Sequence, residues 1–367
     1  MQFETPDFRR ALAPVLRAAE RGAADLDDVL ATTARIHDGD PDSWVLEWLG
    51  TAGEAWAAAR GEDPLRHLLR AATYYDAALE LIEHSGEPER RLDIWRRQRA
   101  CWDRAVNILA GQRIRIAYDG TSLPGYFFAA GPEPRPLVIM NNGAVGATSR
   151  MWALGGAAAA DRGWHWMTFD GPGQQAALIE QGLLARPDWE AVLTPVIDAM
   201  VGRGDVAPER MAAIGVGQGG FWLPRALAHE HRLAAAVADP GIVDVSAPWM
   251  EPLTRRLRAQ LHAGDRAGFD RDMRVALLFA PGIEASLRHH AAPYGLNGSY
   301  AQLYEALTAY RLTVEPAEVT TPLLITADED RWPGQANELL ERIAAPTALV
   351  PAGGEAQIFD WLAARLD

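Results

Sequence analysis

From residue 112 onward the chain alternates short β-rich runs with helical ones. "RIRIAYD", "LPGYFFAA", "PLVIMNNG", "WHWMTFDGPG", "MAAIGVG", "AAAVADPG", "PLLITADED" and "TALVPAG" read as strands, with helices over 150–162, 189–203 and 220–232 between the central ones. Strands joined through helices run parallel, and a parallel sheet must be covered on both faces, so the expected class is α/β with a mostly parallel sheet. Residues 1–111 differ: apolar positions recur at spacings of three and four, broken by Gly, Asp and Pro. This predicts a separate helical domain that opens with Thr5 as N-cap and Pro6 at the first helical position. Within 112–367, the mostly helical stretch at about 242–318 is too long for a plain βα connection and reads as an excursion over the C-terminal edge of the sheet. The aromatic residues of the helical domain, among them Trp44, Trp48, Tyr74, Trp95 and Trp102, read as packing core, with Tyr75 kept as a candidate pocket residue.

Charge and composition remove several chemistries. Net charge is -14, and nucleic acids and anionic membranes are bound through clustered cations, so neither is an expected partner. All 35 basic residues are arginine. Without a lysine there is no Schiff base to a substrate or to pyridoxal phosphate, and no lysine for a phosphate-binding loop. The single cysteine, Cys101, allows no internal disulfide and reads as a packing thiol. "MQFETPDFRR" has neither the basic start nor the apolar run of a signal peptide, and no long apolar span follows, which points to the cytoplasm.

The stretch "AAIGVGQGGFW", residues 212–222, matches two glycine motifs. Gly215, Gly217 and Gly220 fit the G-x-G-x-x-G of a dinucleotide turn, with Asp239 at the end of the next strand as the ribose acid. Against this, two βα units precede the motif, Phe221 and Trp222 crowd the helix start, and Pro240 and Gly241 end the next strand abruptly. Gly215, Gly217 and Gly219 also fit the G-x-S-x-G nucleophile elbow of a hydrolase with glycine at the serine position. The flanks of such an elbow must be small, because its central residue has a strained backbone and strand and helix pack closely there. Strand order places this turn fifth, "NNGAVGATSRMW" third and "ITADEDRWPGQ" seventh, which favours the elbow.

The runs "NNG…MW…GAAAA…RGWHWMTFDGPGQ", "IGVGQGG", "VADPGIVDVS", "PYGLNGSY" and "PLLIT…WPGQ" resemble the α/β-hydrolases that include 2,6-dihydropseudooxynicotine hydrolase, fermentation-respiration switch proteins and fungal polyketide-shortening hydrolases. The resemblance spans nearly the whole chain. It implies a helical cap on an α/β-hydrolase core, a Ser-Asp-His triad, and an oxyanion hole built from the backbone N–H of Gln218 and one near Gly143 or Ala144. The chain departs from that pattern twice. Gly217 stands at the serine position, and no histidine follows His290, so the shortened link between the eighth strand and the last helix lacks the family's histidine. The double departure points to natural divergence and not to an engineered inactivation. Asp330, with Asp328 second, matches the acid after the seventh strand.

Losing nucleophile and base costs a triad enzyme about a million-fold and leaves about a thousand-fold over water from oxyanion donors and binding. Backbone donors outlast side chains, and an oxyanion hole also stabilises an enolate. The expected function is a non-hydrolytic, cofactor-independent conversion of a polyketide-like carbonyl substrate: cyclisation, aldol or retro-aldol reaction, dehydration or decarboxylation. The alternatives are a catalytically inactive ligand- or partner-binding protein and a hydrolase with an atypical site. Trp152, Tyr294, Tyr300, His290 and Tyr75 are the candidate substrate-binding residues. His229 and His231, two apart on a helix, point to different faces and do not read as a metal pair, and no other set suggests a metal or cofactor. His165 reads as a satisfied core histidine. A small molecule is the expected partner, and a homodimer is left open.

Overall fold

The computed structural model describes residues 3–296, 298–313, 318–351 and 354–367. Eight strands form one sheet: β1 (Gln112–Tyr118), β2 (Thr121–Phe128), β3 (Arg135–Asn141), β4 (His165–Phe169), β5 (Val206–Val216), β6 (Ala235–Asp239), β7 (Leu323–Ala327) and β8 (Thr347–Pro351). Their spatial order is β1-β2-β4-β3-β5-β6-β7-β8. β2 meets β4 antiparallel, while β3 to β8 are parallel. Every residue of β4 and β6 is buried, the pattern of strands covered on both faces. β1, at the edge, alternates instead. The expected strand end at Ala352 and Gly353 lies outside the described residues.

Contacts divide the chain into two compact units: one runs to Gln112 and takes in 147–157 and 285–289, and the other holds the rest. In the first unit the helices Pro6–Ala19, Leu26–Thr33, Pro41–Ala58, Pro64–Glu80 and Arg91–Ile108 pack around Trp44, Trp48, Tyr74 and Trp102, all nearly fully buried. Thr5 precedes the first helix but its side chain makes no cap bond. Aspartates do that work elsewhere: Asp25, Asp40 and Asp63 each accept backbone N–H groups of the following turn. The helix expected over 150–162 is a π-turn at Trp152–Gly156 followed by Ala157–Asp161, and Gln175–Gln181 adds a short helix that the sequence pattern did not separate from the loop before it.

In the second unit the excursion consists of Ala247–Met250, Arg255–His262, Arg266–Leu277, Pro281–Ala291 and Tyr300–Thr308. The C-terminal ends of the central strands align: Asn141 of β3 sits beside Gly215 of β5 and Phe169 of β4, and Val216 of β5 beside Asp239 of β6. In open α/β sheets that edge is where ligands bind.

A candidate nucleophile elbow with glycine at its apex

β5 ends at Val216, Gly217 turns with φ +57°, and a helix starts at Gly219. Glycine is needed around the apex because the protein's own backbone closes on it. A Cβ on Gly215 would lie 2.2 Å from the Gly219 carbonyl oxygen, one on Gly219 2.7 Å from that of Asn141, and one on Gly220 1.7 Å from that of Pro240. The apex differs: a Cβ on Gly217 would meet only the Cα of Gly143, at 3.8 Å. Gly215 and Gly220, the first and last glycines of the dinucleotide motif, are thus consumed by internal packing and not by room for a pyrophosphate, which argues against the dinucleotide reading.

Hydrogen bonds brace the turn. The Gly217 N–H donates to the Asp239 carbonyl at 2.7 Å, and the Gly220 N–H to the Gly217 carbonyl at 2.9 Å. Asp239, weighed from sequence only as a ribose acid, is instead a 7% exposed buttress whose carboxylate accepts from Thr326 Oγ1 at 2.5 Å. The Gln218 N–H donates to no acceptor among the described residues. Opposite it, the loop after β3 is held by Gln174, whose Nε2 donates to the carbonyls of Asn142 (2.7 Å) and Gly143 (3.0 Å) while its Oε1 accepts from Gly171 N–H at 2.6 Å. Gln175 Nε2 donates to the Val145 carbonyl at 2.8 Å. These are the residues of "FDGPGQQ", and this is what they do. Of the two expected loop donors, the Gly143 N–H is taken by Asn142 Oδ1 at 2.8 Å, whereas the Ala144 N–H has no acceptor among the described residues.

No protein-family model matches the chain. Hydrolase LUC6 of Fusarium sp. is 31% identical over 264 residues, covering 66% of this chain and 62% of that protein. Alpha/beta hydrolase psoB of Aspergillus fumigatus is 30% identical over 268 residues, 66% of this chain and 60% of its own length. 20-hydroxy-prefusarin hydrolase FUS2 of Gibberella moniliformis is 30% identical over 243 residues, 60% of this chain and 57% of its own. The match thus spans about 60% of the length of these curated relatives. Among solved structures, 2,6-dihydroxy-pseudo-oxynicotine hydrolase superposes with a TM-score of 0.72 at 20% identity over 95% of both chains. AbyA5 does so with 0.66 at 19% identity over 99% of this chain and 93% of its own. The chain has the fold of the α/β-hydrolases.

In this hydrolase fold the remaining candidates fall in different places. Past β7, Asp328 caps a turn by accepting the Arg331 N–H at 3.1 Å, and Asp330 is exposed with no hydrogen bond among the described residues. Tyr294 joins the elbow: Gln218 Nε2 donates to its hydroxyl oxygen at 3.4 Å. Tyr300 turns away, its hydroxyl donating to Glu284 at 3.5 Å. The His290 ring lies 4.8 Å from that of Trp249 in a T-shaped contact. Tyr75 and Trp152 belong to the first unit, where Tyr75 is buried near Cys101. Burial pushes the Cys101 thiol up to about 12, which makes it inert. His165 is satisfied on both nitrogens: Nδ1 accepts from Ala130 N–H at 2.9 Å, which leaves Nε2 to donate to the Asp205 carbonyl at 2.7 Å. His229 faces Glu190 and His231 faces Thr320, so they share no site. Among the described residues no group of three His, Cys, Asp or Glu is placed to hold a metal ion.

One residue at the elbow carries no sequence signal. Tyr310 is 2% exposed, its ring 5.3 Å from Tyr294 and 5.9 Å from Phe221 of the elbow helix. Nothing in "TAYRLT" distinguishes it from an ordinary packing tyrosine, because its neighbours come from distant parts of the chain.

Proposed function

We propose that this protein is a cytoplasmic, cofactor-independent enzyme of secondary metabolism that converts a polyketide-like carbonyl compound without hydrolysing it. The observation that carries this reading is the elbow: a left-handed apex, sterically closed flanks and a Gln218 N–H without an acceptor among the described residues surround a residue that cannot attack. A nucleophile and its base are lost, and an oxyanion hole is kept. In that hole the Gln218 and Ala144 N–H groups face an oxygen on which charge develops, and the apex leaves the space of a side chain to the substrate. An enolate stabilised this way can eliminate water, close a ring, cleave or form an aldol bond, or follow decarboxylation. His290 is the base candidate; Asp330, exposed, is expected to contribute nothing. The name of one relative, 20-hydroxy-prefusarin hydrolase, supports a small organic substrate.

The test starts by incubating the purified protein with a panel of polyketide-like β-dicarbonyl compounds and following conversion by mass spectrometry. Gln218 has φ -61°, within the range that proline holds, so Gln218→Pro deletes the N–H without changing that angle. Relative to Gln218→Ala, which keeps the N–H, Gln218→Pro is expected to lose about a hundred- to a thousand-fold in rate. Equal rates in the two variants, or no compound converted faster than in buffer, would refute the reading. Asp330→Asn is expected to leave the rate unchanged.

A further inference from the structure

The elbow is flanked by a second set of donors. The Tyr294 hydroxyl oxygen receives the Gln218 Nε2 hydrogen at 3.4 Å, so its own O–H points elsewhere, and it has no acceptor among the described residues. The Tyr310 hydroxyl is buried and has no hydrogen-bond partner among the described residues. The two rings meet edge to face at 5.3 Å and 84°. A buried hydroxyl without a partner is rare in folded proteins, and that of Tyr310, on a ring packed against one whose own O–H has no acceptor among the described residues, asks for a ligand oxygen.

Both donors are held in place. The turn carrying Tyr294 is pinned by the Ala185 N–H, which donates to the Pro293 carbonyl at 2.7 Å. Gly295, at φ +67°, closes on Leu184 so tightly that a Cβ would sit 2.6 Å from its side chain. Tyr310 packs against Phe221 of the elbow helix. Burial pushes the Tyr294 hydroxyl up to about 12 and that of Tyr310 up as well, so both keep their protons at neutral pH and each can donate one to a ligand oxygen. The nearby cation, Arg186, is committed to Asp188 and to the Tyr118 hydroxyl. Two neutral phenols with no free guanidinium suit an oxygen with delocalised charge better than a carboxylate or a phosphate, which call for an arginine fork.

We infer that Tyr294 and Tyr310 form a second oxygen-binding site beside the elbow, and that the substrate is a 1,3-dicarbonyl whose enol oxygens divide between the two phenols and the backbone hole. This rests on the elbow acting as an oxyanion site, as proposed above, and it adds Tyr310 as a binding residue and a second oxygen of the substrate as a recognised group. The Gln218 side chain is then a positioning residue: by donating to Tyr294 it directs the phenol O–H toward the ligand.

The probe is 1,3-cyclohexanedione, titrated into the full-length protein and followed by calorimetry and by its enol absorbance, with cyclohexanone as the one-oxygen control. Binding needs no turnover, so its outcome is separate from that of the activity test. The dione is expected to bind, Tyr294→Phe and Tyr310→Phe each to weaken it about fivefold to a hundredfold, and cyclohexanone to bind weakly and equally to all three proteins. Dione affinities within twofold across folded variants, or no binding by the wild type, overturn the inference. If Tyr310→Phe fails to fold, Tyr294→Phe decides alone. Dione binding through the phenols without any conversion of the β-dicarbonyl panel would sink the proposed activity and leave the site standing. Conversion that survives both substitutions would do the reverse.

Discussion

Four glycines within six residues of the elbow have different reasons to be glycine, and each reason predicts a different mutant. Gly220→Ala drives a methyl to 1.7 Å from the Pro240 carbonyl oxygen and Gly215→Ala drives one to 2.2 Å from that of Gly219. Neither backbone can yield, so both are expected to cost more than about 4 kcal/mol in urea unfolding or to prevent folding. Gly217→Ser meets open space and bears only the strain of its left-handed φ, about 1–2 kcal/mol. It is expected to fold and to leave hydrolysis of 4-nitrophenyl acetate at the background rate, because the sequence has no histidine in the link after the eighth strand to activate the new hydroxyl; hydrolysis at a typical esterase rate would show that His290 or another base reaches it. The glycine pattern was legible in the sequence because steric exclusion writes itself as a residue type. Tyr310 was not, since a tyrosine in the core and a tyrosine facing a ligand have the same letter and differ only in what the fold brings near.

At the level of elements, alternation of apolar runs was enough to order the strands, and the parallel core follows from it. The loops at the sheet edge were less legible. "FDGPGQQ" is recognisable as a string, but its function as a clamp on the loop after β3 depends on a Gln174 side chain that reaches across to carbonyls more than thirty positions earlier. Glutamine is required there because the site presents two acceptors and one donor. Gln174→Glu replaces the amide donor with a carboxylate facing the carbonyls of Asn142 and Gly143, in a position with no exposure to water. The expected loss is about 3 kcal/mol or more by thermal unfolding, with faster amide exchange over 142–146, whereas Gln174→Met, which strands the same groups without adding charge, loses less. Equal stability of the two variants would show that the clamp does not hold the loop. The helix expected over 150–162 illustrates the opposite failure: alanine-rich propensity predicted one continuous element, and the glycine pair at 155–156 coincides with its division into two.

The whole molecule answers to pH through groups that sequence could place but not quantify. Arginine alone balances 49 acids, and carboxylates such as Asp188 and Asp205 are held below their ordinary range, chiefly by hydrogen bonds from Arg186 and Arg203. A lowered carboxylate contributes stability above its unfolded value of 3.8, which is lost only as pH falls through the folded value, so these pairs are silent in mild acid. His165 acts earlier. Burial first, with Arg135 and Arg203 also opposing a second proton on the ring, lowers its folded value below the unfolded 6.5. A depressed histidine leaves stability intact above 6.5; as pH falls from there to the folded value the unfolded chain takes up a proton that the folded chain refuses, and stability drops by at most about 1.4 kcal/mol per pH unit. His165→Gln retains an acceptor for Ala130 N–H and a donor for the Asp205 carbonyl but cannot titrate. Urea unfolding at pH 7.5 and 5.5 should show the wild type losing stability relative to His165→Gln over that interval. Parallel curves for the two proteins would mean that the ring is protonated in the folded state and that its hydrogen bonds are not those described.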